Sequence, residues 1–209
     1  MSNHSDAAAH VHHSDYEGAK IGMWLFLFTE VLLFGGLFLL YSVYRARYPL
    51  DFHLAASELN TFVGTINTLF LLTSSLTVVL ALEAHHRGSR KVAMGMLGVT
   101  IFFGLGFMVI KYFEWSAKFH HGLYPGAEEL LSHSGGEIVF FNLYYAMTGL
   151  HGLHVLVGMA VLGTILYFIA KEPDTSNQRT FIKLENSALY WHLVDVIWIF
   201  LFPLFYLIT

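Results

Sequence analysis

Five ionisable side chains fall inside long apolar stretches of this 209-residue chain. Glu30 sits in TEVLLFGG, His151 and His154 in TGLHGLHVLVG, and His192 and Asp195 in YWHLVDVIWIF. At the centre of a bilayer such a group costs about 2.5–3.5 kcal/mol on insertion scales, so each needs a partner or a task. His151 and His154 are three residues apart and project from neighbouring positions of one helix face; His192 and Asp195 repeat that spacing. A carboxylate such as Glu30 stays charged in lipid only beside a cationic or hydrogen-bonding partner, and a histidine of the fourth apolar stretch is the candidate. Glu83, Lys111 and Glu114 lie near the ends of apolar stretches, where snorkelling can carry their charge to the interface.

Three chemistries compete for these groups. The histidines could ligate zinc or a b-type haem, for example His151 and His192 facing each other from two helices, although no complete ligand set with a recognisable spacing is present. Glu30, the histidines and Asp195 could form a proton path, a common use of intramembrane carboxylates and histidines. On spacing alone, interhelical hydrogen bonding, about 0.6–2 kcal/mol each, is the best supported.

The elements that must position these groups follow from composition. The chain is 56% hydrophobic and 12% charged, with a mean hydropathy of +0.57, against roughly a quarter charged in soluble domains. Crossing a bilayer takes about 20 helical residues. Five segments qualify, near 19–44, 60–82, 92–113, 138–170 and 187–208, and backbone pairing in lipid requires all five to be helices. The expected fold is an all-α integral membrane bundle, the fourth helix long enough to tilt or project beyond the lipid. The absence of cysteine excludes disulfides, Cys-ligated zinc and iron–sulfur clusters. A net charge of −4 and a pI near 6.3 argue against nucleic acid as a partner. No internal repeat, phosphate-binding loop or dinucleotide fingerprint is present.

Residues 1–18 read as a flexible polar tail rather than a signal peptide, since they lack an apolar stretch and a small-residue cleavage site. Their His4, His10, His12 and His13 could bind a metal, but such a tail needs no function. Lys20, Arg87, Arg90, Lys91, Lys171, Arg179 and Lys183 fall on one side, against Arg45, Arg47, Lys111 and Lys118 on the other. This bias predicts a cytoplasmic N-terminus and an outer C-terminus. The connection 114–137, with Glu114, Glu128, Glu129, Glu137 and a Tyr124-Pro125-Gly126 turn, belongs on the outer face.

Glycines at 35, 36, 95, 98, 104, 106, 149, 152 and 158 would let helices approach closely. The second helix carries hydroxyls and amides instead, from Thr61 to Thr77, able to bond back to its own carbonyls or across to a neighbour. Trp24, Trp115, Trp191 and Trp198 fit interfacial belts and helix-face anchoring.

Taken in order along residues 19–208, these segments resemble subunit III of the haem–copper cytochrome and quinol oxidases. KIGMWLFLFTEVLLFGGLF is similar to the family helix with a buried glutamate, here Glu30. LNTFVGTINTLFLLTSSLTVVLALEAHH resembles the Asn-Thr helix ending in a histidine pair, here Asn67, His85 and His86. GFMVIKYFEW carries the Glu-aromatic pair, here Glu114 and Trp115, with Lys111 where many members have glutamine. Met147-Thr148-Gly149 followed by HGLHV and, most specific, YWHLVDVIWIFLF with Trp191 complete the series.

The resemblance implies a non-catalytic subunit of a complex that reduces oxygen and pumps protons. This chain would bind no haem or copper itself, those lying in partner subunits. It would pack against subunit I, with subunit II also in the complex. It would hold phospholipids, support proton uptake and protect the oxidase from turnover inactivation. The commonest family form has seven helices, and this chain lacks an equivalent of the first two, as five-helix members do. The lipid cleft those two helices form must be open or walled by a neighbouring subunit. The five-helix form points to a bacterial cytoplasmic (inner) membrane. A subunit-III-like accessory protein of nitric oxide reductases shares that form and is the alternative; a b-type cytochrome and a proton-coupled transporter are more remote. Within the family reading, Glu30 is expected to hydrogen-bond a fourth-helix histidine, His154 ahead of His151. His192 and Asp195 are expected to fix the fifth helix within the bundle or against subunit I.

Overall fold

A computed structural model describes the backbone of residues 3–171 and 178–208 and the side chains of residues 18–171 and 179–208. Its elements are α1 (Asn3–Arg47), α2 (Pro49–Ser57), α3 (Thr61–His86), α4 (Arg90–His120), α5 (Glu128–Leu131), α6 (Gly135–Lys171) and α7 (Gln178–Tyr206), with no strand among the described residues. Five stretches are long and apolar enough to cross a membrane: Gly18–Arg47, Thr61–His86, Arg90–His120, Gly135–Lys171 and Arg179–Tyr206. The protein is therefore an all-α bundle with five candidate membrane spans.

Local chemistry sets the helix ends. Asn60 caps α3, its side chain accepting from the Phe62 and Val63 amides at 3.0 and 3.2 Å. Pro49 opens α2, where its missing N–H costs nothing. Between α3 and α4 the chain reverses at Gly88, whose φ of 75° suits a residue without Cβ.

Three boundaries differ from the sequence expectation. Helix α1 begins at Asn3, so the backbone of 3–17 is helical; Ala7 to Ala9 favour helix and neither proline nor glycine intervenes before Gly18. The histidine side chains of this stretch lie outside the described residues. Helix α4 runs on to His120, because no breaker interrupts it before Gly122, and much of the expected loop is therefore helix. Helix α7 starts nine residues before the expected position, at Gln178.

Helix α7 is the most enclosed span, with 50% of its apolar window buried, against 11% for α1 at the periphery. It packs on α1, α2, α3 and α6, while α4 bridges α3 to α6. Trp191, Trp198, Tyr144, Tyr206, Phe107 and Phe140, from α4, α6 and α7, are among the largest fully buried side chains of the described residues. Among the glycines of close approach, one on α4 and one on α6 both abut the Trp191 indole. A Cβ at Gly104 would stand 2.9 Å from Trp191 Cη2, and one at Gly158 2.8 Å from Cε3. The expectation that the other glycines pack helices holds only in part: Gly35, Gly36, Gly95 and Gly98 have nothing within 4 Å of an added Cβ. On α4 the buried row is Ala93, Leu97, Thr100, Gly104, Phe107 and Lys111; Gly95 and Gly98 fall on the opposite face of the same helix.

Candidate functional site

Glu30 near the middle of the first span meets α6. Its Oε2 lies 2.8 Å from His154 Nε2, and both side chains are largely enclosed, 14% and 12% exposed. The other ring nitrogen, Nδ1, is 2.7 Å from the Leu150 carbonyl one turn back. A carbonyl only accepts, so Nδ1 carries a proton. Nε2 then either carries a second proton donated to a Glu30 carboxylate or accepts one from a Glu30 carboxylic acid. Either way the pair holds one shared proton and is neutral overall, which is how a carboxyl group is tolerated at membrane depth. Phe34, with its ring centroid 5.4 Å from that of His154, and Tyr190 close the site.

His151, the other histidine of that face, does not reach Glu30. It is fully buried, with its ring 5.5 Å from Phe107 and 5.2 Å from Trp198, centroid to centroid. Neither ring nitrogen has a hydrogen-bond partner. On α7, His192 Nδ1 lies 2.7 Å from Ser75 Oγ of α3, tying the two helices. Asp195 is 3% exposed; the Ser75 hydroxyl faces it, yet neither carboxyl oxygen attains hydrogen-bond geometry. The five groups singled out from the sequence are thus split between a Glu30–His154 pair, an aromatic cage around His151, an α3–α7 contact at His192 and a buried, unpaired Asp195. No group of three or more His, Asp or Glu among the described residues could hold a metal ion.

A second polar centre joins α4, α6 and α7. Lys111 and Glu114, one turn apart, form an ion pair with Nζ 3.1 Å from Oε2, and both side chains are under a tenth exposed. Tyr206 and Tyr144 donate to Glu114 Oε1 at 2.5 and 2.7 Å. The ammonium also donates to the Tyr206 hydroxyl at 2.5 Å and stands 4.7 Å from the Trp198 ring centroid. This corrects the snorkelling expectation for Lys111 and Glu114. Because α4 continues for nine residues past Lys111, that side chain starts about 14 Å from the helix end and turns inward, where opposite charge and two phenols satisfy it. The i, i+3 spacing of Lys111 and Glu114 was the available sequence signal; nothing local pointed to Tyr144 or Tyr206. Glu83, by contrast, stays near its helix end, 2.6 Å from Arg87 and half exposed.

The remaining motif positions are structural in their contacts. Trp191 Nε1 donates to Ser74 at 3.0 Å, and Trp198 Nε1 to Thr68 at 3.0 Å. Most other hydroxyls of α3 bond back to their own helix, while Thr77 also reaches Thr100 of α4 at 2.8 Å. Asn67 is fully buried with both amide atoms unpaired. His85 and His86 flank the Phe181 ring at 6.3 and 5.6 Å. Trp115 packs on Tyr145 at 5.1 Å and covers Gly149. Beside Trp115, a groove of about 620 Å³ runs between α4 and α6.

The cytochrome c oxidase subunit III family model matches residues 2–209. Among relatives, a cytochrome c oxidase subunit 3 of Thermostichus vulcanus is 34% identical over 209 residues, covering 97% of this chain and 93% of that protein. A cytochrome bo(3) ubiquinol oxidase subunit 3 of Pseudomonas putida is 32% identical over 199 residues, covering 94% and 88%. A heme-copper oxidase subunit I+III of Aeropyrum pernix is 30% identical over 212 residues, covering 95% of this chain and 24% of that longer protein.

Proposed function

The chain belongs to the cytochrome c oxidase subunit III family, and from that premise we propose how its parts serve a haem–copper oxidase. It is a multi-pass membrane subunit of such a complex. In this reading it is non-catalytic, packs against the catalytic subunit I, retains phospholipids and supports proton uptake. Its N-terminus faces the cytoplasm of a bacterial cell, as the Lys and Arg bias suggests.

The observation that carries the proposal is the Glu30–His154 pair on the least enclosed span. Helix α1 offers a broad apolar face, including Leu25, Phe28, Leu32 and Leu39, for a partner subunit or lipid. Among the described residues of α1, Glu30 sets its largely enclosed carboxyl group against His154 at membrane depth, where the pair can share a proton. Support for the choice of partner comes from the relative named as subunit I+III, whose name joins the two subunits.

Purification in mild detergent tests this reading, with mass identification of co-purifying subunits and a reduced-minus-oxidised spectrum. The expected outcome is a large haem–copper subunit accompanying a chain that itself carries no haem. Recovery of the chain alone with a haem spectrum would overturn it.

A further inference from the structure

Helix α7 keeps one polar atom open near the middle of the membrane. His192 stands near the centre of the Arg179–Tyr206 span, and Ser75 near that of Thr61–His86. The 2.7 Å contact with Ser75 Oγ occupies His192 Nδ1. Nε2 has no hydrogen-bond partner among the described residues, and the side chain is partly exposed. Other polar groups at this depth make no such outward demand. Glu30 and His154 meet each other, exposed Thr73 bonds back to the Leu69 carbonyl, and His151 and Asp195 are buried.

The surface around His192 is apolar and uncovered. Helices α1 and α3 both pack on α7 but not on each other. Val196 and Ile199, one and two turns on from His192, share its face and are close to half exposed. Leu72 and Val79, one turn either side of Ser75, continue the strip on α3 and are equally exposed.

Chemistry selects the occupant. Hydrocarbon tails offer neither donor nor acceptor, and lipid ester and phosphate oxygens begin roughly 15 Å from the midplane. The bilayer core holds no water to replace them, so a protein group must complete the bond, as polar side chains do between membrane helices. Ser75 Oγ can donate to Nδ1 or accept from it, which makes Nε2 either a lone pair or an N–H. A hydroxyl or amide side chain meets both forms.

We propose that the α3–α7 seam at His192 is the docking surface for a transmembrane helix of the catalytic subunit I, which sets a hydroxyl or amide side chain on His192 Nε2. The inference rests on the accessory-subunit reading above and gives its contact with subunit I a place. The α1 face makes no comparable demand, because its Glu30 is already met by His154.

The test uses the full chain in its complex, in native membranes. A benzophenone amino acid replaces Val196 or Leu72 in turn, with exposed Val109 of α4 as control. After illumination, cross-linked peptides are identified by mass. Val196 and Leu72 are expected to capture subunit I, and Val109 is not. Retention of subunit I is then measured by detergent titration. His192→Leu should weaken it roughly 3–30-fold, the contribution of one interhelical hydrogen bond. His192→Gln keeps a donor and an acceptor, and Ser75→Ala removes only the internal bond, so both should stay within about two-fold. The cross-linking variants keep the imidazole and decide the question if His192→Leu fails to insert. In an oxidase that contains subunit I, three results would overturn this inference and leave the accessory-subunit reading standing. They are capture of lipid alone or of a second copy of this chain, capture of subunit I at Val109 in place of the seam, and retention unchanged by an inserted His192→Leu. Absence of every oxidase subunit from the preparation would sink that reading, and this inference with it.

Discussion

Glu30 of α1 and His154 of α6 stand 2.8 Å apart, and the bond from His154 Nδ1 to the Leu150 carbonyl leaves the pair one proton to share. Two charges or two neutral forms are both compatible with that geometry, and neither adds net charge to the bundle. The same contact is a polar link between the peripheral first span and the rest of the protein.

Removing either partner should therefore loosen α1. Glu30→Ala and His154→Ala each strand a buried polar group, costing about 1–3 kcal/mol, whereas Glu30→Gln can still hydrogen-bond Nε2 and should cost less. A double-mutant cycle on thermal melting in detergent should return a coupling of about 0.6–2 kcal/mol. Additive single effects would show that the contact contributes nothing.

The Lys111–Glu114 pair should behave as a unit. Lys111→Met leaves the Glu114 carboxylate buried with only the two tyrosine hydroxyls, a loss of about 3–5 kcal/mol for breaking a buried pair. Adding Glu114→Leu to that variant should restore much of the stability, because both charges are then gone. Melting temperatures of the two variants decide it: a single mutant as stable as the parent would mean that the pair is not enclosed as described.

Trp191 makes two glycines sensitive and leaves two others indifferent. Gly104→Ala and Gly158→Ala push a methyl within 3 Å of the indole, and overpacking of this kind costs about 1–3 kcal/mol. Gly95→Ala and Gly98→Ala meet nothing and should be neutral or slightly stabilising in the isolated chain through helix propensity. Equal melting of all four variants would contradict the placement of Trp191.

Asp195 yields a contrasting prediction. Its carboxyl group is buried without a hydrogen bond and is therefore held as the neutral acid, so Asp195→Asn, a neutral side chain of nearly the same volume, should leave the isolated chain about as stable. If the same change weakens retention of partner subunits in the purified complex, Asp195 acts in assembly. Marked destabilisation of the isolated chain would reveal a partner for the carboxylate within the bundle.

By itself, the sequence determined whatever depends on local pattern and on the solvent. Apolar runs of about 20 residues in lipid can only be helices, so the five spans were legible, with ends displaced by as much as the nine residues at the start of α7, and so was the need of Glu30 for a partner. The family motifs were legible because they are strings. Tertiary structure alone decided which groups meet, since the rotation and depth of each helix are set by packing against its neighbours. His151 and His154 share a face by spacing, yet the first is turned to Phe107 and Trp198 and the second to Glu30. Lys111 reads as a helix-end lysine until α4 is seen to continue to His120, and Tyr206, 95 residues away, is seen to close over it. Gly95 and Gly104 are the same residue on the same helix, and only the position of Trp191 makes the second a packing surface.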